Sequence, residues 1–317
     1  MSILHIVSVS GGKDSAATAI VALETESFES LRFVFADTGN EDQQTIDYVA
    51  YMAEHLGIEI HTLPKRDFSR EIAGRREYVV KHWPGKGASD ADIERALVAL
   101  QPTGNPFLDL CVWKGRFPSR KAQFCTEQLK TLPLVEWQMG FIERGECEAV
   151  WSWQGVRIDE SHARKTRLQG TGACVKAFEV QGGGLYTYRP ILRWKAADCF
   201  EAASLYGLKP NPLYTQGMER VGCMPCINAG KDEVLQISKR FPAHIERIAY
   251  WEQCVANASR RQAASFFPDP DRDVHLNKRG IQNVVEWSKT KRGGQLVDWI
   301  RVTEEPRACE SAYGVCE

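Results

Sequence analysis

Apolar and polar positions over the first sixty residues follow two alternating rhythms. Ile3 to Val9 is a short apolar run. Ala16 to Glu24 is rich in alanine and reads as a helix. Leu31 to Ala36 is a second short β-rich run. Gln43 to Leu56 places Ile46, Val49, Met52 and Leu56 at helical spacing and stops at Gly57. Ile58 to Leu63 is the next strand. Short apolar runs alternating with helical stretches predict a parallel sheet covered by helices on both faces. Ligands on such sheets bind beyond the carboxyl ends of the strands.

The rhythm breaks between residues 66 and 118, where charge, glycine and proline accumulate around one predicted helix, Asp90 to Leu100. This stretch reads as an insertion that forms a lid or a substrate wall. Lys130 to Arg144 follows as a helix with Leu134, Trp137 and Phe141 on its apolar face. Glu148 to Trp153 and Leu185 to Ile191 are strand-like, and Ala196 to Tyr206 is helical up to Gly207. Beyond Pro212 the pattern is mostly helical and punctuated by cysteines. The expected fold is therefore α/β, a doubly wound and mainly parallel sheet with a mostly helical C-terminal region. The expected division is a nucleotide-binding unit over residues 1–214 and a cysteine-bearing helical unit over residues 215–317.

Composition narrows the partners. The chain has 317 residues, with 40 Lys and Arg against 41 Asp and Glu, so it is no polycation. Any nucleic-acid contact must come from a local patch. No apolar run approaches the roughly 18 residues of a membrane span. The chain opens directly on a strand-like run without a basic leader, so a cytoplasmic protein with no membrane partner is expected. Ten cysteines in that compartment point away from disulfides and toward metal binding or thiol chemistry. Isolated Cys147, Cys174, Cys199 and Cys254 read as small buried apolar residues.

The chemistry concentrates at the first strand–helix junction, Ser8–Val9–Ser10–Gly11–Gly12–Lys13–Asp14–Ser15. Two glycines let the backbone approach a ligand, and the new helix offers free N–H groups to an anion. Lys13 adds a positive charge, and Ser10 and Ser15 add hydroxyls. The spacing is not that of a Walker loop. It resembles the PP-loop of the ATP pyrophosphatase superfamily, whose members cleave ATP between the α and β phosphates and use AMP to activate an oxygen. Asp37–Thr38–Gly39 ends the second strand, where an aspartate suits Mg²⁺ or the nucleotide. Arg157 and Arg164 flank Glu160 after a later strand, and two guanidinium forks suit an anion. Trp113, Trp151 and Trp153 stand near Lys114, Arg116 and Arg157, a composition that suits a groove for single-stranded nucleic acid as well as a plain core.

Cysteines form the second signal. Cys223–Met224–Pro225–Cys226 is a C-x-x-C outside the position of a redox motif, so metal ligation leads. Partner thiols are Cys125, Cys309 and Cys316, with Cys111 a weaker candidate. Zinc and [4Fe–4S] both remain open on this pattern. The tail thiols Cys309 and Cys316 suit sulfur delivery, metal ligation or no role at all.

Several blocks together are similar to the phosphoadenosine-phosphosulfate reductase family within the PP-loop superfamily. They are the Gly11–Ser15 loop, Phe35–Gly39, Cys125 with Lys130 and Pro133–Leu134, Gly155–Arg157 with Glu160–Ser161 and Arg164, Arg189–Ile191 with Trp194, and Asn211–Tyr214 with Gly217, Arg220 and Gly222 through Cys226. The resemblance implies an adenine nucleotide alpha hydrolase-like fold. Lys13 and Asp14 are retained, which resembles the ATP-splitting branch that includes DNA phosphorothioation sulfurtransferases. Thr126 stands where cluster-bearing reductases have a second cysteine, so a fourth ligand would come from Cys309 or Cys316, or the cluster would be incomplete.

The implied activity is an ATP-dependent sulfurtransferase. ATP and Mg²⁺ would sit on Ser8, Ser10, Gly11, Gly12, Lys13, Asp14, Ser15, Asp37, Thr38, Gly39, Arg157, Glu160 and Arg164. Lys13, Asp14, Asp37 and Cys316 are the expected catalytic residues. An iron–sulfur cluster, with zinc as the alternative, would sit on Cys125, Cys223, Cys226, Cys309 and Cys316. The expected partners are a sulfur donor such as a cysteine desulfurase, or a thioredoxin-like reductant, with nucleic acid as an acceptor. The alternatives are a sulfonucleotide reductase releasing sulfite through Cys316, and a nucleotide- and metal-binding module without turnover.

Overall fold

A computed structural model describes residues 2–160, 162–180, 183–268, 270 and 279–291. Its strands are β1 (Ile3–Val9), β2 (Leu31–Phe35), β3 (Ile60–Thr62), β4 (Ala149–Trp153), β5 (Cys174–Val180) and β6 (Gly183–Tyr188). They form one sheet in the order β3-β2-β1-β4-β6-β5. Parallel pairing runs from β3 through β6, with His5 opposite both Leu31 and Trp151. The order reverses between β1 and β4, and such a switch point opens a crevice at the carboxyl edge. The glycine bend follows β1 directly into this crevice.

Strand β5 has no counterpart among the strands expected from the sequence. It runs antiparallel on the edge against β6, with a register shift between Lys176 and Phe178. A bulge breaks the period of two by which a strand is recognised. Cys174 opens this edge strand and is exposed, not buried as its isolation in the sequence suggests. Cys147 and Cys199 are buried as expected.

Both sheet faces are covered. Val7, Val9, Phe33 and Phe35 pack against the helices Lys13–Thr25 and Gln43–Leu56. Leu4, Ile6, Val34 and Val150 face the opposite helix, Leu132–Glu143. Alternate residues of β1 thus enter different cores, as a strand buried on both sides requires. The helix of Gln43–Leu56 starts on Asp42, whose carboxylate accepts the Gln44 N–H, and ends on Gly57 in the left-handed region.

The segment expected to hold one helix holds three α-helices, Ser69–His82, Asp90–Ala99 and Pro106–Lys114. The first is mostly charged and buries Ile72 and Val79, too few to give a periodic signal. The third is apolar nearly all round and too short to separate from a strand by pattern. Its start is nonetheless marked, because Asn105 accepts the Leu108 N–H and Pro106 opens the first turn. These helices share one core with the C-terminal helices Lys231–Arg240, Pro242–Ala258 and Ile281–Ser288. Phe68, Trp83, Phe107, Trp251 and Phe266 sit in that core. Full burial of each such ring contributes on the order of 2–3 kcal/mol. Among the described residues, no helix is long and apolar enough to cross a membrane.

Two carboxylic acids are held in this helical part. Glu252 accepts the backbone N–H groups of Phe266 and Ile281 at 2.8 and 2.9 Å. Burial pushes Glu233 and Glu252 each up to about 7. Their folded forms therefore hold a proton that the unfolded chain releases near its ordinary glutamate value. Their contribution to stability is complete below about pH 4.5 and is lost as pH rises through about 7. Asp37 and Asp42 are shifted downward and titrate below this window. Urea melts at pH 6 and pH 8 are expected to show lower stability at pH 8, by about 1 kcal/mol per pH unit for each proton released. Glu233→Gln is expected to flatten part of that slope; an unchanged slope would refute the assignment.

Candidate active site

The glycine bend is built from local and distant supports. Gly11 has φ +74°, and a Cβ there would stand 2.9 Å from Thr45 Cγ2. Ser15 Oγ donates to Gly12 O at 2.9 Å and accepts the Ser10 N–H at 3.1 Å, closing the turn. From two hundred residues away, Tyr214 Oη accepts the Lys13 N–H at 2.9 Å, and Asn211 Nδ2 donates to Gly11 O at 3.1 Å. A Cβ on Gly155, in the loop after β4, would stand 2.7 Å from Asp14 O. Glycine is required at this position by close approach.

The bend opens into a cavity of about 830 Å³. Its lining includes the apolar Val34, Leu63, Leu134, Val135 and Leu185. It also carries Lys13, Lys130, Arg157, Arg164 and Arg220 beside Asp14, Asp159, Glu160 and Glu219. Ser8 Oγ lines it and is buried without a hydrogen-bond partner in the structure. A space of this size, with both apolar and cationic lining, suits a nucleotide with its phosphates.

Of the residues expected on the nucleotide, Ser8, Ser10, Gly12, Lys13, Asp14, Ser15, Arg157, Glu160 and Arg164 line this cavity. Gly11 supports the bend from behind. Asp37, Thr38 and Gly39 stand off the cavity wall. Asp37 accepts the Gly39 N–H at 2.8 Å and pairs with Lys65 at 3.1 Å. Burial would raise its carboxyl, but Gly39 and Lys65 outweigh that and hold it below the ordinary range. Thr38 donates its hydroxyl and its N–H to the buried Glu41 carboxylate.

Arg157 is 2% exposed, and its Nε donates to Asp14 Oδ1 at 2.6 Å. Its Nη1 reaches Asp159 at 3.3 Å. The Lys13 ammonium stands 4.0 Å from Asp14 and 5.2 Å from the Tyr214 ring centre. Burial pushes Lys13 below the ordinary lysine range, with Asp14 opposing. Arg164 and Arg220 both bind the Glu160 carboxylate. Both guanidinium groups read from the sequence are thus engaged with carboxylates in this structure.

The thiols stand behind the bend. The backbone of Cys223 bridges Glu41, and its Sγ lies 3.5 Å from Glu41 Oε1 and 3.4 Å from Thr38 Oγ1. Asn40 grips the same segment: its carbonyl accepts the Met224 N–H at 2.7 Å and its Nδ2 donates to Pro225 O at 3.0 Å. Arg247, from the helix Pro242–Ala258, donates to Asn40 Oδ1 at 2.8 Å and to Met224 O at 2.6 Å. Cys125 sits on a short helical turn that runs into the π-helical turn Glu127–Thr131. Pro133, without an N–H to give the preceding turn, accounts for that widening. The π turn carries Lys130, 3.9 Å from Glu41. Burial raises the Cys125 thiol, with Cys226 adding to it, and raises Cys223 far more strongly, with Lys130 opposing. Cys223, Glu41, Cys226 and Cys125 together keep Lys130 protonated.

Three thiols in one electrostatic neighbourhood, with a lysine to offset their charge, are a donor set suited to a thiolate-bound group. Among the described residues, no three Cys, His, Asp or Glu side chains converge on one metal position. Cys309 and Cys316 lie outside the described residues. Cys111 is fully buried in the helical core. Lys130, Tyr214 and Arg220 belong to the blocks of resemblance, and their supporting roles come from the geometry. Asn40, Glu41 and Arg247 carry no signal in the sequence, because each has at least one partner more than a hundred residues away in the chain.

A glycine bend with Lys13 and Asp14, at the switch point of a doubly wound parallel sheet, defines a PP-loop protein. The Phosphoadenosine phosphosulfate reductase domain matches residues 5–97 and 121–229, and the chain belongs to that family. An uncharacterized 37.8 kDa protein of Escherichia phage 186 is 43% identical, over 100% of this chain and 97% of its own length. An uncharacterized protein of Methanocaldococcus jannaschii is 26% identical over 79% of this chain, which spans 41% of that relative. Among solved structures, the phosphoadenylyl-sulfate reductase of Candida auris in its phosphate complex is similar at TM-score 0.40 and 17% identity, over 71% of this chain and 83% of that one. The U34-tRNA thiolase NcsA of Methanococcus maripaludis, with its [4Fe-4S] cluster, is similar at TM-score 0.36 and 11% identity, over 91% and 81% of the two chains.

The Asp14–Arg157 pair gives a direct test. Removing one partner of a buried pair leaves the other charge uncompensated and costs about 3 kcal/mol. Asp14→Asn is expected to lower unfolding stability by about that amount. Asp159→Asn, at a side chain 57% exposed, is expected to cost less than about 1 kcal/mol. Equal losses in denaturant melts would contradict the geometry.

Proposed function

We propose that this protein is an ATP-dependent sulfurtransferase of the PP-loop type. The observation that carries the reading is a shared wall. Lys130 and Gly222 line the nucleotide cavity, while Gly222 adjoins Cys223 in the chain and Lys130 stands 3.9 Å from the Glu41 carboxylate, which also meets the Cys223 Sγ at 3.5 Å. A nucleotide on the bend and a sulfur centre thus adjoin one enclosure.

ATP would lay its base on the apolar lining and its phosphates toward Lys13. An acceptor oxygen attacks the α-phosphorus, the bond from that phosphorus to the β-bridging oxygen breaks, and pyrophosphate leaves. Lys13 and the N–H groups at the helix start stabilise the charge gathering on pyrophosphate. Hydrosulfide then attacks the acceptor carbon, the carbon–oxygen bond breaks, and AMP departs with that oxygen. Holding the reactants in one enclosure supplies much of the acceleration. Cys125, Cys223 and Cys226 would hold an iron–sulfur cluster, which when bound offers a soft metal to sulfide. Mg²⁺ would sit on phosphate oxygens near Asp14. A cysteine desulfurase, whose persulfide a thiol reductant reduces by two electrons, is a suitable source of that hydrosulfide.

The family match favours one other reading, reduction of a sulfonucleotide in which a thioredoxin-like dithiol supplies two electrons and sulfite is released. The two separate on one assay. With ATP, hydrosulfide and an oligonucleotide acceptor, wild type is expected to release pyrophosphate. Lys13→Ala is expected to lower that release at least about 100-fold. Cys223→Ser is expected to keep pyrophosphate release and lose sulfur incorporation. Sulfite from an adenylyl sulfate, with no pyrophosphate from ATP, would replace this proposal with the reductase.

A further inference from the structure

A ladder of cations and rings lies outside the nucleotide cavity. The Arg66 guanidinium is 5.3 Å from the Phe68 ring centre. Phe68 stacks on Trp113 at 5.8 Å, and the Lys114 ammonium is 3.6 Å from the Trp113 ring centre. Arg116 follows, 5.5 Å from the Phe124 ring centre. Lys114 and Arg116 share one electrostatic neighbourhood, with Glu71 and Glu127 as its acids. Arg120 and Lys121 are exposed in the next turn.

The ladder leads into a second cavity of about 450 Å³. Phe117, Phe266 and Phe267 form its floor, with Phe266 lying 5.3 Å from Phe117 and 4.9 Å from Phe267. Arg120 and Lys121 stand at its rim, and none of the described residues lining it is acidic. The nucleotide cavity differs in having four carboxylates. Ile227, the neighbour of Cys226, forms part of the wall. At the other end Arg66 donates to Gln128 O, in the π turn that carries Lys130. The whole strip therefore borders the thiols. Of the tryptophans noted in the sequence, Trp113 alone belongs to it. Trp153 donates to His5 in the core, and Trp151 packs with His5 and Tyr188.

We propose that the strip from Arg66 to Lys121 and the cavity behind it bind a single strand of nucleic acid. The cations track successive phosphates, and the cavity, walled by Ile227 and by Phe117, Phe266 and Phe267, which are only 6%, 2% and 6% exposed, receives one unstacked base. A partner with regularly spaced charges fits a row of cations. A base held in a duplex cannot enter a pocket of this size, whereas an unpaired one stacks on aromatic faces. The proposal rests on the sulfurtransferase reading for what happens to the strand, and not for its binding.

The test measures binding of a labelled oligothymidine of about 20 nucleotides by fluorescence anisotropy, without ATP, at about 50 and 200 mM salt. Wild type and Lys13→Ala are both expected to bind, which keeps this result separate from the fate of the ATP reaction. Arg116→Ala/Arg120→Ala/Lys121→Ala is expected to bind at least about tenfold more weakly. Its logarithmic salt slope should flatten by about two, at roughly 0.7 for each phosphate that a removed cation no longer neutralises. Lys239→Ala/Arg240→Ala, on a different helix, is expected to bind as wild type. No binding by wild type at low salt would overturn the proposal. So would an unchanged triple variant, an equal loss in the control, or equally tight binding of a blunt duplex or of inorganic polyphosphate.

Discussion

A guanidinium group enclosed by protein must meet a carboxylate, and Arg157 meets Asp14 at 2.6 Å. That contact ties the first turn of the helix after β1 to the loop after β4, across the switch point of the sheet. The rest of the bend follows from it. Gly155 has to be bare because the two backbones are pressed together there. Cys199 is drawn in behind, its thiol 3.5 Å from the same Asp14 oxygen and pushed by burial up to about 12. Asp14 is thus a structural counter-charge as well as a residue of the cavity wall. Lys13 is left facing the cavity with its charge weakened by burial and restored in part by Asp14.

A second set of contacts joins the thiols to the loop after β2. Asn40 holds Met224 and Pro225, Glu41 holds Cys223, and Arg247 holds Asn40 and Met224 together. His244, one turn earlier on the same helix, meets Asp42 at 2.6 Å. The C-terminal helices therefore support the site from behind. They share their core with the helices of residues 66–118, so the segment that interrupts the sheet and the segment that follows it brace one another. The thiol segment is held by both parts of the molecule, which explains how it comes to border the large cavity.

The electrostatics divide the surface into two kinds of cationic region. In the nucleotide cavity each arginine already has a carboxylate: Arg157 has Asp14, and Arg164 and Arg220 share Glu160. Such pairs fix geometry, and an incoming phosphate must compete with them. Along the strip from Arg66 to Lys121 rings, more than acids, accompany the cations. Cations over rings keep their charge available to a polyanion while their stems are held in place. The two regions suit a compact, tightly placed nucleotide and an extended strand, respectively.

Local pattern alone determined the parallel sheet, most of its strands, the helix of residues 43–56 and the glycine bend. Each of these depends on neighbours within a few residues, through hydrophobic periodicity, a cap or a turn. The residues facing the cavity from the bend and from the loop after β4 were legible for the same reason. Hidden in the sequence were β5 with its bulge, the charged helix Ser69–His82, and the supports Asn40, Glu41 and Arg247. Each of those supports has a partner more than a hundred residues away, and nothing near it in the chain announces that pairing. Only the tertiary structure could decide that Arg157 faces a carboxylate, that Trp113 and not Trp153 joins the basic strip, and that Lys130 lines the large cavity while meeting Glu41 beside Cys223. Those outcomes are set by which charges end up buried together, and burial is a property of the folded chain.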